Sequence, residues 1–264
     1  MVTCILQGGI ASQFFTTLAT IAYSKKHKMQ YCIPTQINRF LHKHYRFDNV
    51  VYDDIDTTSF YKYRSPDVIN EDSPYDVSYH EIPFHENIVL YGHFRSWKYF
   101  DGIIDPKCYF SKIQLPPNPA FYTRRCSVVV RIGDYSTTPQ YLLQGIIEYL
   151  KRALWLVTGN EISEVIGYCD NLAWLKQLLS DMYFKRSLPF IPIYQVADHG
   201  SEINNLSAIA MNKYIIGSNS LYSLMAYYLN PHWDKKIFLP KEWFNPWFEP
   251  VDCTDLYPPG CVIL

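Results

Sequence analysis

Three short runs carry residues whose types and spacing suit the handling of anions and protons. The run Val128-Val129-Val130-Arg131-Ile132-Gly133-Asp134-Tyr135 reads as a buried β-strand that delivers an arginine, then a carboxylate, at its C-terminal end. An arginine there suits a diphosphate, because its planar fork donates two parallel hydrogen bonds and cannot lose its charge. The plainer alternative is an Arg131–Asp134 pair that pins a turn. The run Ile215-Ile216-Gly217-Ser218-Asn219-Ser220 presents small hydroxyl and amide side chains where a strand gives way to a helix. Ser218, Asn219 and Ser220 can cap that helix or bind phosphate, and the spacing leaves both roles open. The third run, Gln7-Gly8-Gly9, precedes a helical pattern. Its glycines let the backbone approach a ligand, and the helix behind them offers unpaired N–H groups. No G-x-x-x-x-G-K-[ST] loop occurs and no G-x-G-x-x-G follows the first strand, so the usual ATP and NAD cradles are not supported.

Other polar residues have simpler readings. Asp170 follows an apolar run and is expected to cap the next helix. Glu202 is expected in the first turn of a helix, where its charge suits the helix dipole. His93, within Tyr91 to Phe100, is a candidate general base, with a structural role as the alternative.

These runs need a parallel sheet to position them. Val2 to Leu6, a glycine turn, a helix with Phe14, Phe15, Leu18, Ile21 and Ala22, and then Tyr31 to Ile33 form a strand, turn, helix, strand unit. Thr35 to about Asn87 is irregular. In the second half, strands are expected at Val128–Val130, Val165–Cys169, Phe190–Ile193, Tyr214–Ile216 and Ile237–Leu239. Helical stripes alternate with them at Leu142 to Leu154, Leu172 to Met182, Ile203 to Ala210 and Leu221 to Leu229. Five strands alternating with four helices predict a doubly wound domain that binds ligands beyond the strand C-terminal ends. Leu115-Pro116-Pro117-Asn118-Pro119 reads as a stiff connector, so two Rossmann-like lobes with a cleft between them are expected, over 1–115 and 120–264.

Composition narrows the function classes. Lys and Arg total 24 against 25 Asp and Glu, which leaves no global basic field to hold nucleic acid. Seven cysteines without a C-x-x-C pair indicate neither a disulfide ladder nor a zinc ribbon, and reduced thiols in a cytoplasmic setting fit best. No apolar run is long enough to cross a membrane.

Five segments, in order, resemble glycosyltransferase family 11, the α-1,2-fucosyltransferases. Gly8-Gly9-Ile10-Ala11-Ser12-Gln13-Phe14-Phe15 resembles that family's G-G-L-G-N-Q-x-F loop, and Gly92 to Phe100 its G-Y-F-Q-S-x-K-Y-F segment. Val129 to Tyr135 is similar to H-x-R-R-G-D-Y. Asn219 to Asn230 and Leu239 to Phe244 are similar to N-S-x-F-S-W-W-x-A-W-L-N and A-P-K-x-W-F. The chain departs from these patterns at Ser12 (Asn in the family), Val129 (His), Ile132 (Arg) and Leu224-Met225 (a Trp pair).

The resemblance implies a GT-B-like α/β architecture and an inverting, metal-independent transfer of fucose from GDP-fucose. The acceptor would be a glycan hydroxyl, such as the 2-hydroxyl of galactose or another hexose. By the resemblance Arg131 would hold the donor diphosphate and Asp134 would belong to the same motif; the candidate catalytic residues are Arg131, with Asp134 and His93 as the candidates for the base. The implied donor-binding residues are Gly8, Gly9, Ser12, Gln13, Arg131, Asp170, Ser218, Asn219 and Ser220. Residues 1–115 would form the acceptor side and 120–264 the donor side. Another nucleotide-sugar donor, or a non-catalytic glycan or nucleotide binder, are the alternatives that the departures suggest.

Overall fold

The computed structural model describes every residue except 36–42, 54–66, 71–76, 111–118, 134, 136–137, 139–144, 160–161, 182–185, 187–192, 246 and 248–250. Leu115 to Asn118 of the proline connector, Leu142, Met182 and Asp134 therefore lie outside the described residues. The chain divides into two compact units, Met1–Ser111 with Val251–Pro258, and Lys112–Pro250 with Pro259–Leu264.

The first unit is built on a three-stranded parallel sheet in the order β1, β5, β4, where β1 is Val2–Ile5, β4 is Asp67–Asn70 and β5 is Ile88–Tyr91. A small parallel pair, β2 (Ile33–Pro34) and β3 (Tyr52–Asp53), lies beside it, and Val2 bridges to Tyr31. The helix after the glycine turn, α1, spans Ile10–His27 and buries Phe14, Phe15, Leu18 and Ile21 completely. It is closed by Lys25, Lys26 and His27 in its last turn and by Lys28 in the left-handed region. Cations there suit the negative end of the helix dipole. Ile88 to Tyr91 is a strand that the alternation of turns and helices did not reveal.

The second unit carries a six-stranded, wholly parallel sheet. Its strands are β6 (Arg125–Val130), β7 (Glu164–Cys169), β8 (Ile193–Val196), β9 (Tyr214–Gly217), β10 (Lys236–Leu239) and β11 (Val262–Ile263). The order across the sheet is β8-β7-β6-β9-β10-β11. Numbered within the unit this is 3-2-1-4-5-6, the doubly wound order, with its topological switch point between β6 and β9. Among the described residues, four helices connect the strands: α2 (Ile146–Thr158), α3 (Leu172–Ser180), α4 (Glu202–Met211) and α5 (Leu221–Leu229). Each follows from an apolar stripe at helical spacing, such as Leu150, Ala153, Leu154 and Val157 in α2, all buried against Val128, Val130, Val165 and Ile216. The alternation of strands and helices expected from sequence is thus present, with β11 as an addition at one edge; the strand expected at Phe190–Ile193 is observed at Ile193–Val196, and residues 190–192 lie outside the described residues.

Two glycines allow the close packing that this sheet needs. A Cβ at Gly217 would fall 2.5 Å from Ser223 Cβ on α5, and one at Gly167 would fall 2.7 Å from Leu175 Cδ2 on α3. No disulfide joins any of the seven cysteines. Among the described residues no helix is long and apolar enough to cross a membrane.

Candidate functional site

Strand register brings the separated motifs of the second unit together. Val130 on β6 pairs with Cys169 on β7, and Val129 pairs with Gly217 on β9. The next residues along each chain, Arg131, Asp170 and Ser218, therefore emerge side by side at the carboxyl edge of three adjacent strands. This is the switch-point edge at which doubly wound sheets take ligands. The Arg131 amide donates to Ser218 Oγ at 3.0 Å, and the Ser218 amide donates to Val129 O at 2.8 Å, so β6 and β9 are stitched past their last ladder bonds.

Asp170 corrects the capping expectation. The N-cap of α3 is Asn171, whose Oδ1 accepts from the Trp174 amide at 3.1 Å. The Asp170 carboxylate instead accepts from the amides of Ile132 and Gly133, at 2.8 and 3.0 Å, and pairs with Arg131 Nε at 3.1 Å. A Cβ on Gly133 would fall 2.7 Å from Asp170 Oδ2, so only glycine lets the turn close on this carboxylate. Arg131 thus pairs with Asp170, just past the end of the neighbouring strand, while Asp134 lies outside the described residues. Arg131 keeps nearly half of its side-chain surface in water.

The 218–220 run divides its roles. Ser220 is the N-cap of α5, its Oγ accepting from the Tyr222 amide at 3.3 Å. Asn219 donates from Nδ2 to Trp243 O at 2.8 Å, and its carbonyl accepts from the Tyr135 hydroxyl at 2.9 Å. Tyr135 and Trp243 therefore tie the Arg131 run and the later Pro240–Phe244 run to one loop. All three side chains of the run are buried and hydrogen-bonded within the protein, which makes them a frame for Arg131. Leu224 and Met225 are fully buried in α5, and Val129 in β6, so these departures from the family pattern fall in the core. Burial pushes the Cys169 thiol up to about 11, which keeps it protonated beside Arg131.

In the first unit, Gly8 adopts a left-handed φ of +68°, and a Cβ there would meet Ser12 Oγ at 3.1 Å. Gly9 is the N-cap of α1 and gives no side-chain cap, and the first turn carries no acid. Gln13 is wholly buried. Its amide donates to Gly8 O at 3.0 Å and Lys43 O at 2.8 Å and accepts from the Tyr45 amide at 3.1 Å. Gln13 thus holds the glycine turn in place. His93 reaches the same turn, with Cε1 3.9 Å from the Gly8 Cβ position. Burial, reinforced by the Arg95 charge, lowers the His93 pKa to about 3, so the ring is neutral at working pH and a weak proton acceptor. Glu202 lies in the first turn of α4, where Ser201 is the cap. Among the described residues, no group of three or more His, Cys, Asp or Glu side chains is arranged to hold a metal.

No protein-family model matches the chain, and no curated protein matches it in sequence. Among solved structures, the chain is similar to an arginine-to-lysine mutant of Arabidopsis thaliana FUT1 in complex with GDP. The match has a TM-score of 0.53 and 9% identity, and covers 90% of this chain and 69% of the other. At that identity the likeness is one of fold. It shows a GT-B-like α/β architecture built on parallel sheets.

Proposed function

We propose that the chain is an inverting, metal-independent glycosyltransferase that moves fucose from GDP-fucose to a glycan hydroxyl, in the manner of family 11. The observation that carries this reading is the placing of Arg131 at the switch-point edge of the second sheet, framed by Ser218 and Asp170. The GDP complex of the fold neighbour supports the choice of nucleotide.

In the proposed reaction an acceptor hydroxyl attacks the anomeric carbon from the face opposite the departing nucleoside diphosphate. The new C–O bond forms as the bond to the diphosphate breaks, and the hydroxyl proton passes to a base. The sugar is oxocarbenium-like at the transition state, so negative charge grows on the leaving diphosphate. Arg131 meets that charge with preorganised N–H donors. Asp170 engages Nε and so sets the plane of the guanidinium, and Ser218 fixes the backbone beneath it. Asp134, in the same run as Arg131, is the proposed base.

The test is thermal stability with GDP, GDP-fucose and UDP-sugars, with and without EDTA, followed by transfer assays with the nucleotide that binds. A ligand at 100 times its dissociation constant adds about 2.7 kcal/mol to folding stability. Stabilisation by guanine nucleotides that survives EDTA, with transfer of fucose, is the expected result. Stabilisation by UDP-sugars alone would replace the donor. Binding without transfer to any acceptor would make the chain a binder, and no shift with any nucleotide would overturn the reading.

A further inference from the structure

A buried arginine normally has an anion beside it, because desolvating a guanidinium is costly unless a counter-charge and hydrogen bonds compensate. Arg95 departs from that rule. It is 8% exposed, and its Nε is buried without a hydrogen-bond partner. No carboxylate pairs with it among the described residues, where acids of the same unit pair with other cations: Asp255 with Lys98, Asp105 with Lys107 and Glu81 with Lys26.

The surroundings add positive potential. The segment that carries Arg95 runs along the N-terminal half of α1, where Thr16 Oγ1 donates to Gly92 O at 3.0 Å, and His93 Cε1 approaches Gly8 in the turn before the helix. That helix begins with an uncapped Gly9 and has no acid in its first turn. The adjacent imidazole offers no compensation, since it is neutral beside Arg95. Phe94 sits between them with a φ of +45°, its ring buried against Tyr99 at 5.3 Å. A non-glycine residue held there costs energy and is over-determined by its packing. The result is a largely buried cation whose Nε has no hydrogen-bond partner, beside a neutral imidazole and with its counter-charge missing among the described residues.

We propose that Arg95 anchors an acidic group of the acceptor, the carboxylate of a sugar acid, so that the preferred acceptor is an anionic glycan. This rests on the glycosyltransferase reading, in which the donor diphosphate belongs to Arg131 in the other unit. A carboxylate matches the guanidinium fork, and a low-dielectric site strengthens the pair.

The experiment compares sugars that differ only in the acid. Methyl glucuronide against methyl glucoside, and methyl galacturonide against methyl galactoside, are titrated into the full chain without nucleotide, and GDP is titrated separately. One of the acids should bind at least about tenfold tighter than its neutral partner, since charge-assisted hydrogen bonds are about twice as strong as neutral ones. Arg95→Gln should erase that preference, Arg95→Lys should keep part of it, and both should leave GDP affinity unchanged. Equal binding of acid and neutral sugars by the wild-type chain, no binding of any of the four, or a preference that survives in Arg95→Gln would overturn the proposal. Loss of GDP affinity in Arg95→Gln would assign Arg95 to the donor instead. If the substituted chains fail to fold, the wild-type comparison still decides. Failure of the wild-type chain to bind GDP would count against the glycosyltransferase reading and leave the acid preference to be judged by itself.

Discussion

Replacement of Arg131 by alanine should separate binding from folding. The pair it makes with Asp170 joins Nε to Oδ2 at 3.1 Å, with the side chains 46% and 26% exposed. A pair that open to water is worth about 0.2–1 kcal/mol. The substitution does not strand Asp170, which keeps the amides of Ile132 and Gly133 at 2.8 and 3.0 Å. Nor does it touch the stitch between strands, because the donor to Ser218 is the residue 131 backbone amide. The stability loss should therefore stay within about 1 kcal/mol, a melting shift of roughly 2–4 °C for a chain of this size. GDP binding should respond quite differently. Hydrogen bonds to charged groups contribute about 1.5–3 kcal/mol each, so losing a bidentate contact costs about 3 kcal/mol, roughly a hundredfold in affinity. Transfer should fall at least as far, since the diphosphate gains charge as it leaves. Calorimetric titration with GDP beside thermal unfolding measures both quantities. A GDP affinity within about threefold of wild type in a folded Arg131→Ala chain would refute the role given to this residue, because threefold is well under the worth of one charge-assisted bond.

Three further outcomes test the frame. Burial and the Arg95 charge lower the His93 pKa from 6.5 to about 3, so its share of stability is full above pH 6.5 and is lost as pH falls toward 3, at up to about 1.4 kcal/mol per pH unit. Urea midpoints should fall on acidification from neutral pH more steeply in the wild type than in His93→Gln, and parallel profiles would sink the assignment. The buried Tyr149 hydroxyl serves Gly217 O at 2.7 Å and Phe238 O at 2.8 Å, so Tyr149→Phe should cost about 1–3 kcal/mol in denaturant unfolding, with a neutral result counting against the bond. Gly217→Ala should destabilise by about 1–3 kcal/mol, because its methyl would overlap Ser223 on α5; unchanged stability would mean that α5 can retreat from β9 without loss.

The second unit was legible where local pattern and final environment agree. A strand covered on both faces must be apolar throughout, and runs such as Val128 to Val130 and Tyr214 to Ile216 satisfy that requirement between helices with one buried stripe. Ile88 to Tyr91 has the same apolar character and is the central strand of the first sheet, yet no helical pattern flanks it, so periodicity had nothing to alternate with. The two-residue β11 is too short for any pattern and exists through its pairing with β10. Such strands are defined by distant partners, and a sequence window does not contain those partners.

The site divides along the same line. Arg131 and Ser218 could be picked out because each follows an apolar strand, where ligand-facing residues of a parallel sheet fall. Their mutual hydrogen bond follows only from β6 lying beside β9, which spans 87 residues of chain. Asp170 shows how a non-local bond overrides a local rule. Both Asp170 and Asn171 have side chains able to cap α3, and Asn171 takes the cap, which frees the carboxylate for Ile132, Gly133 and Arg131 on the adjacent strand. Gln13 likewise stands in a motif that suggests ligand contact, but three backbone groups claim its amide. Residue type announces what bonds a side chain can make, and strand order decides which partner is near enough to make them. Arg95 is the sharper case: its charge is plain in the sequence, and only the fold shows that it is buried without a counter-charge among the described residues.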